Sequence, residues 1–130
     1  MKTILTLLLT LTIFLNSKSQ ISFSCTYRSY CQWNDNTRTF ENCSGYSESS
    51  LFTFNKSETM FTHTISSMTS TYYITKKYYD KELDIFTYET VSDIGNEYYY
   101  VIDMKVKEIR VLFSSKQETY MITFSVKSVF

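Results

Sequence analysis

Three cysteines, Cys25, Cys31 and Cys43, stand near the start of the chain. Such thiols can form a disulfide, bind a metal ion or act in redox chemistry. A typical zinc site needs about four nitrogen or sulfur ligands, and the chain has no C-x-x-C pair and a single histidine, His63. In an oxidising compartment we expect one disulfide and one remaining thiol, with Cys31–Cys43 and Cys25–Cys43 as the leading pairings. No metal and no cofactor is predicted.

Residues for acid–base catalysis are few. His63 lies in a strand-like stretch without an orienting partner, so we expect it at the surface or at a sheet edge. Asp80, Glu82 and Asp84 recur at every second position, as a glycosidase carboxylate pair on one strand face would require. A solvated turn that leads into a strand explains them better. Because the motifs of nucleophile, zinc and phosphate chemistry are also missing, the sequence predicts a protein that is not an enzyme.

Tyrosine, present 12 times, is the residue type best suited to contact a ligand. Its ring and hydroxyl suit stacking on sugars, burial of small apolar molecules and protein interfaces. Neighbouring strand residues face opposite sides, so at least one ring of the run 98–100 must lie on the wetter face or in an opening. Filling of space on a small sheet is the competing explanation for each ring. The candidate ligand-binding residues are Tyr72, Tyr98, Tyr100 and the only tryptophan, Trp33.

Residues 1–19 predict a secretory signal peptide that is cleaved before Gln20. Lys2 supplies the positive start, residues 4–15 form the apolar stretch, and Ser17 and Ser19 are the small residues before the cut. The apolar stretch is shorter than the roughly 20 residues of a membrane helix. We therefore expect an exported protein, periplasmic or secreted, with no membrane span after cleavage.

Size and charge narrow the class further. Residues 20–130 are enough for one small domain. The whole chain has 13 basic and 13 acidic residues, and the leader removes only Lys2 and Lys18, which leaves a net charge of about −2. The basic pairs Lys76–Lys77 and Lys105–Lys107 have acidic neighbours. This balance argues against a nucleic-acid partner.

The chain after the leader has two regions that differ in composition and residue pattern. Residues 20–49 mix the cysteines with turn formers, which predicts an irregular segment with a first strand near residues 21–27. Residues 50–130 predict a β-meander with strands at 50–54, 59–66, 71–76, 83–91, 97–104, 108–113 and 119–126. The connections are too short for parallel crossovers, so these strands pair as antiparallel hairpins.

Alternation in the last strands shows which face is buried. Ile122, Phe124 and Val126 point to one side with Tyr120, and Ile109 to Phe113 alternate in the same way. We predict an all-β fold, an antiparallel up-and-down meander of about seven or eight strands that forms a curved sheet or a small closed barrel. An outer-membrane barrel would share the terminal alternation, but the cysteines and the several short strands argue against it.

The leader ending Asn16 to Ser19 before Gln20 resembles the leaders of exported proteins in flavobacteria-like bacteria. The stretches at 52–55, 59–63 and 92–98 are similar to small uncharacterised exported β proteins of that group. This resemblance covers residues 51–130 and implies a compact antiparallel β domain, with no activity or site residues attached. The meander also resembles the calycins, although Cys31 stands where the lipocalin signature has glycine before Trp33.

Two functional hypotheses remain. The first is a binding module that holds a small apolar or carbohydrate ligand in a mouth lined by Tyr98, Tyr100 and their cross-strand neighbours. The second is a protein-interaction domain, such as an inhibitor, immunity or surface-assembly protein, that uses an exposed sheet face or edge. The first requires a concave pocket with aromatic walls, whereas a solid interior with an apolar outer patch favours the second.

Overall fold

A computed structural model describes residues 20–130; the predicted signal peptide lies outside the described residues. Across these residues the chain forms eight strands and no helix, so no helix there is long and apolar enough to cross a membrane. The strands are β1 Ile21–Asn34, β2 Thr39–Phe54, β3 Met60–Ile65, β4 Met68–Asp80, β5 Ile85–Ser92, β6 Glu97–Asp103, β7 Glu108–Ser115 and β8 Glu118–Val129.

Each strand pairs antiparallel with the next, and β8 pairs with β1, so the sheet closes into a barrel. The predicted all-β meander is confirmed, and closure resolves the choice between a curved sheet and a barrel. Closure pairs the first and last strands with each other and leaves neither as a sheet edge.

Residues 20–49 are not the irregular segment that the sequence predicted. They lie in β1 and the first part of β2, which form a long hairpin paired from Ile21↔Phe54 to Asn34↔Thr39. Although these residues are typical of turns, only residues 35–38 form one, while Ser44, Gly45, Ser47 and Ser49 occupy exposed positions in β2. The β1–β2 ladder has two register shifts, between Cys25 and Tyr27 and between Tyr30 and Gln32. Each leaves one extra residue in β2, which interrupts the alternation of inward and outward side chains.

Cys31 and Cys43 form a disulfide across this hairpin, which confirms one of the two leading pairings. Of the cysteines, all of which lie in residues 20–130, Cys25 stays a free thiol and is buried. Burial raises the pKa of the Cys25 thiol to about 11, so at neutral pH it is a small apolar side chain rather than a nucleophile.

The connections follow the turn chemistry of their residues. Asn55 accepts the Thr59 backbone N–H at 2.9 Å, and Gly95 adopts a φ of 89°. Lys116 and Gln117 both have positive φ, as a two-residue hairpin turn requires for the strands to keep their twist. Asp80 accepts the Leu83 backbone N–H at 3.1 Å, which confirms a turn rather than a catalytic strand face at residues 81–84.

The middle of the barrel is filled by aromatic side chains. Phe52 is 1% exposed, and its ring contacts the rings of Phe61, His63, Tyr100 and Phe124 at centroid distances of 4.0–6.3 Å. Ile102, Ile109 and Val111 complete the packing from β6 and β7. This packed centre separates the two ends of the barrel from each other.

Candidate functional site

One end of the barrel contains an apolar cavity of about 320 Å³, which we call the apolar mouth. The starts of β1 and β5 and the ends of β2, β6 and β8 surround it. Its volume is at the lower end of the range for small-ligand pockets. The residues that line it are Ile21, Phe23, Phe54, Glu58, Asp84, Phe86, Tyr88, Ile102, Met104 and Val129.

Alternation along the strands builds the aromatic wall of the apolar mouth. Phe23 and Phe54 meet edge to face at 5.8 Å, because β1 and β2 place them on the inner face one row apart. Phe54 lies 5.3 Å from Tyr88, and Phe86 is parallel to Tyr88 at 6.5 Å. Phe54 also stacks on Phe61 at 4.7 Å, and Phe61 belongs to the packed centre. The cavity therefore has aromatic walls and a closed floor.

Two carboxylates lie in the lining of the apolar mouth, and both come from turns. Glu58 and Asp84 have φ values of 52° and 53°, which bend their turns. The Lys77 Nζ lies 3.1 Å from Glu58 Oε2, and the Tyr79 hydroxyl donates to Asp84 Oδ1 at 2.8 Å. Burial, together with the nearby Glu58 charge, raises the pKa of Tyr88 to about 12.

A second opening, which we call the β6–β7 slot, lies at the other end of the barrel. The β6–β7 ladder ends at Tyr99↔Leu112, although β6 begins at Glu97 and β7 continues to Ser115. The strands diverge there around a cavity of about 590 Å³. Its lining is more polar and consists of Gly95, Asn96, Glu97, Tyr98, Tyr99, Leu112, Phe113, Ser114, Ser115 and Thr119.

The structure brings three of the four predicted binding residues together. Tyr72 lies 5.4 Å from Tyr98 and 5.2 Å from Tyr100 between ring centroids. Tyr100 is 3% exposed and its pKa is raised well above the ordinary value by burial, so it belongs to the packed centre. Tyr98, beside Phe113 at 5.6 Å, reaches the β6–β7 slot.

Trp33 lies apart from these tyrosines. It packs edge to face on Phe40 at 5.0 Å near the tip of the β1–β2 hairpin, and its indole N–H donates to Asp35 at 2.9 Å. Gln32, Trp33 and the neighbouring turn line only a polar depression of about 380 Å³. The structure therefore gives Trp33 a place in the hairpin rather than in the tyrosine cluster.

His63 is buried, and the expectation of a surface or edge position was wrong. The inward alternation of Phe61 and His63 on β3 places the imidazole flat on Phe52, with ring centroids 4.0 Å apart. Among the described residues its Nε2 has no hydrogen-bond partner, and neither does the buried Ser50 hydroxyl. Burial, with Arg28 as a second cause, lowers the pKa of His63 to about 4. The side chain is therefore a neutral aromatic ring packed in the core at neutral pH.

The long hairpin also leaves one strand edge uncovered. β2 pairs with β3 only from Ser50 onward, so residues 39–49 pair with β1 alone. On the outer face Tyr73, Tyr78 and Tyr99 are each about half exposed.

Within residues 20–130 no group of three or more His, Cys, Asp or Glu side chains is placed to hold a metal ion.

The apolar mouth is not where the sequence predicts an opening. The run of three tyrosines favours an opening at Tyr98 and Tyr100 instead. The missed signal is that, in an antiparallel meander, strand starts and strand ends alternate along one rim. Apolar residues at the start of one strand and at the end of the next therefore collect at the same end, as Phe23 and Phe54 do, followed by Phe86 and Ile102.

Comparisons with protein-family models, with curated proteins and with solved structures find no match for this chain.

Proposed function

We propose that this protein is an exported, non-enzymatic binding module that holds a small apolar ligand in the apolar mouth. The observation that carries the proposal is the cavity of about 320 Å³ between Phe23, Phe54, Phe86 and Tyr88. Apolar concave walls with few polar groups are typical of small-molecule sites. The packed centre limits the ligand to the end of the barrel, so a short chain or a single ring fits better than a long lipid.

Export to the periplasm or beyond is part of this proposal. The Cys31–Cys43 disulfide supports it, because disulfides persist in oxidising compartments. The signal-peptide pattern of residues 1–19 supports it independently, from the sequence.

The proposal is tested by titrating residues 20–130 with N-phenyl-naphthylamine, a neutral dye that fluoresces in apolar surroundings. We expect saturable binding that Met104→Trp weakens by roughly tenfold, since a bulky ring in the lining fills the cavity. Val106→Trp is the matched control, because Val106 lies in the same turn but is exposed and outside the lining.

Equal loss of binding in both tryptophan variants would show that the dye does not occupy the apolar mouth. No saturable binding to the unaltered protein would rule out the cavity as a ligand site. Circular dichroism of each variant checks that the barrel has folded.

A protein-interaction domain is the second candidate, and the uncovered β2 edge at residues 39–49 favours it. Strand edges pair with extended segments of a partner through backbone hydrogen bonds. Mass spectrometry of the protein purified from its native culture separates the two functions. A retained small apolar molecule supports the binding module, whereas a stoichiometric protein that is lost in a Tyr46→Pro variant supports the interaction domain.

A further inference from the structure

The geometry points to a cationic head group on the ligand, an ammonium on a short apolar tail, with the head held at the rim of the apolar mouth by Asp84. This inference rests on the proposed function and names the ligand class for the same site. An apolar wall alone would accept an apolar ligand with any head group. The preference for a cation comes from the charge and the aromatic rings at the rim.

Asp84 carries the uncompensated charge of the rim. Within the described part of the chain no Lys, Arg or His nitrogen lies within 4.0 Å of its carboxylate, and its contact is the hydrogen bond from Tyr79. Glu58 is paired with Lys77 at 3.1 Å. A ligand head placed here therefore meets a net negative charge, and an ammonium is attracted where a carboxylate is repelled.

Aromatic faces support the same preference. Tyr79 stacks on Phe86 at 4.4 Å, and Phe86 lies parallel to Tyr88 within the lining of the cavity. Ring faces attract cations, and quaternary ammonium groups are recognised by clustered aromatic side chains. Of these three rings Tyr79 is the exposed one, and because its hydroxyl donates to Asp84, its ring lies beside the carboxylate that would hold the same head.

Lysines at this end could favour an anionic head instead, and their contacts argue against it. Lys77 pairs with Tyr88 in the β4–β5 ladder and so faces the mouth, but its ammonium is engaged by Glu58. Lys105 donates to the Glu82 backbone carbonyl at 2.8 Å. An anionic ligand would have to break the Lys77–Glu58 pair, whereas a cation uses Asp84 as it stands.

The test compares three ligands with the same eight-carbon tail, namely octylammonium, octanol and octanoate, by NMR titration of residues 20–130. We expect octylammonium to bind about fivefold more tightly than octanol, and octanoate to bind least, because a partly exposed ion pair contributes modestly. The preference should shrink at high salt. The amide signals of Phe86 and Met104 locate the binding.

Asp84→Asn is the decisive variant. Asparagine tolerates the positive φ of this position and can still accept the Tyr79 hydroxyl, so the fold is kept. We expect the variant to bind octylammonium about threefold more weakly and octanol unchanged. Asp80→Asn removes a charge from the same hairpin outside the lining, and it should keep the preference.

Three results would overturn the inference. Equal affinity for all three ligands would leave the apolar mouth as a binding site but remove its charge preference. Tightest binding of octanoate would assign the head group to Lys77. Absence of binding by every octyl compound, together with absence of dye binding, would remove the proposed function itself.

Discussion

The apolar mouth and the β6–β7 slot lie at opposite ends of one closed sheet, and they differ in volume and in the polarity of their linings. The apolar mouth is smaller and is walled by Phe23, Phe54, Phe86 and Tyr88. The β6–β7 slot has nearly twice the volume, about 590 against 320 Å³, but its lining is more polar, because serine, threonine and asparagine side chains stand among its aromatic ones. Volume alone therefore does not identify a binding site.

The two openings have different physical origins. The apolar mouth exists because inward side chains near the strand ends stop short of filling the barrel above Phe61. The β6–β7 slot lies where the ladder ends while both strands continue, and polar side chains stand beside aromatic ones along the gap. Apolar walls favour the burial of an apolar tail, whereas a more polar lining favours hydrogen bonding.

The largest expected effect concerns the packed centre that separates the ends. Phe52→Ala should lower the free energy of unfolding by about 4 kcal/mol, because Phe52 is fully buried among four rings and alanine leaves a cavity. Urea denaturation followed by circular dichroism measures the loss. Thr62→Ala, on the outer face of the adjacent strand, is the control and should cost less than about 1 kcal/mol. Similar losses in both variants would mean that the centre is not packed.

The next effect is a pH dependence of the free energy of unfolding, which arises from the buried imidazole of His63. The unfolded chain binds a proton on His63 below pH 6.5, whereas the folded chain does so only near its lowered pKa of about 4. Stability should therefore be unaffected by this group above pH 6.5 and fall by about 3 kcal/mol as the pH drops to 4.

Urea midpoints between pH 7 and pH 4 measure this loss. His63→Phe keeps a ring on Phe52 and should remove this part of the pH dependence, while the part due to carboxylates remains. An unchanged pH profile in His63→Phe would show that the imidazole is not held neutral by burial.

The smallest expected effect comes from a substitution in the β6–β7 slot, and it tests directly which of the two ends binds the dye. Ser115→Trp places a large ring in the lining of the β6–β7 slot, far from the apolar mouth. The affinity for N-phenyl-naphthylamine should change by less than about twofold, since distant substitutions act independently. Loss of dye binding in this variant would reverse the assignment of the two ends.

Most of the fold could be predicted from the sequence, and the candidate site could not. The strands after residue 50 follow from period-two alternation, and Ile109, Val111 and Phe124 are buried as their pattern predicts. The sequence does not predict the β1–β2 hairpin, because the exposed serines and Gly45 of β2 are residue types typical of turns. Their strand character comes from backbone pairing with β1, which no local pattern records.

The candidate site depends on which side chains the closed barrel brings together, and this is not a local property of the sequence. Residue type favours Tyr98 and Tyr100, yet Tyr100 fills the centre and Tyr98 lines the more polar opening. Without a visible partner His63 is expected at the surface or at a sheet edge, yet its ring packs on Phe52, its paired neighbour on β2.

The amino-acid sequence by itself determined the all-β class, the antiparallel hairpins and the inward face of the later strands, because alternation and turn chemistry are local. Only the tertiary structure decided that Cys43 pairs with Cys31 and leaves Cys25 in the core. It also decided which end of the barrel is apolar, because closure and register bring Phe23, Phe54 and Phe86 from three separate strands around one cavity.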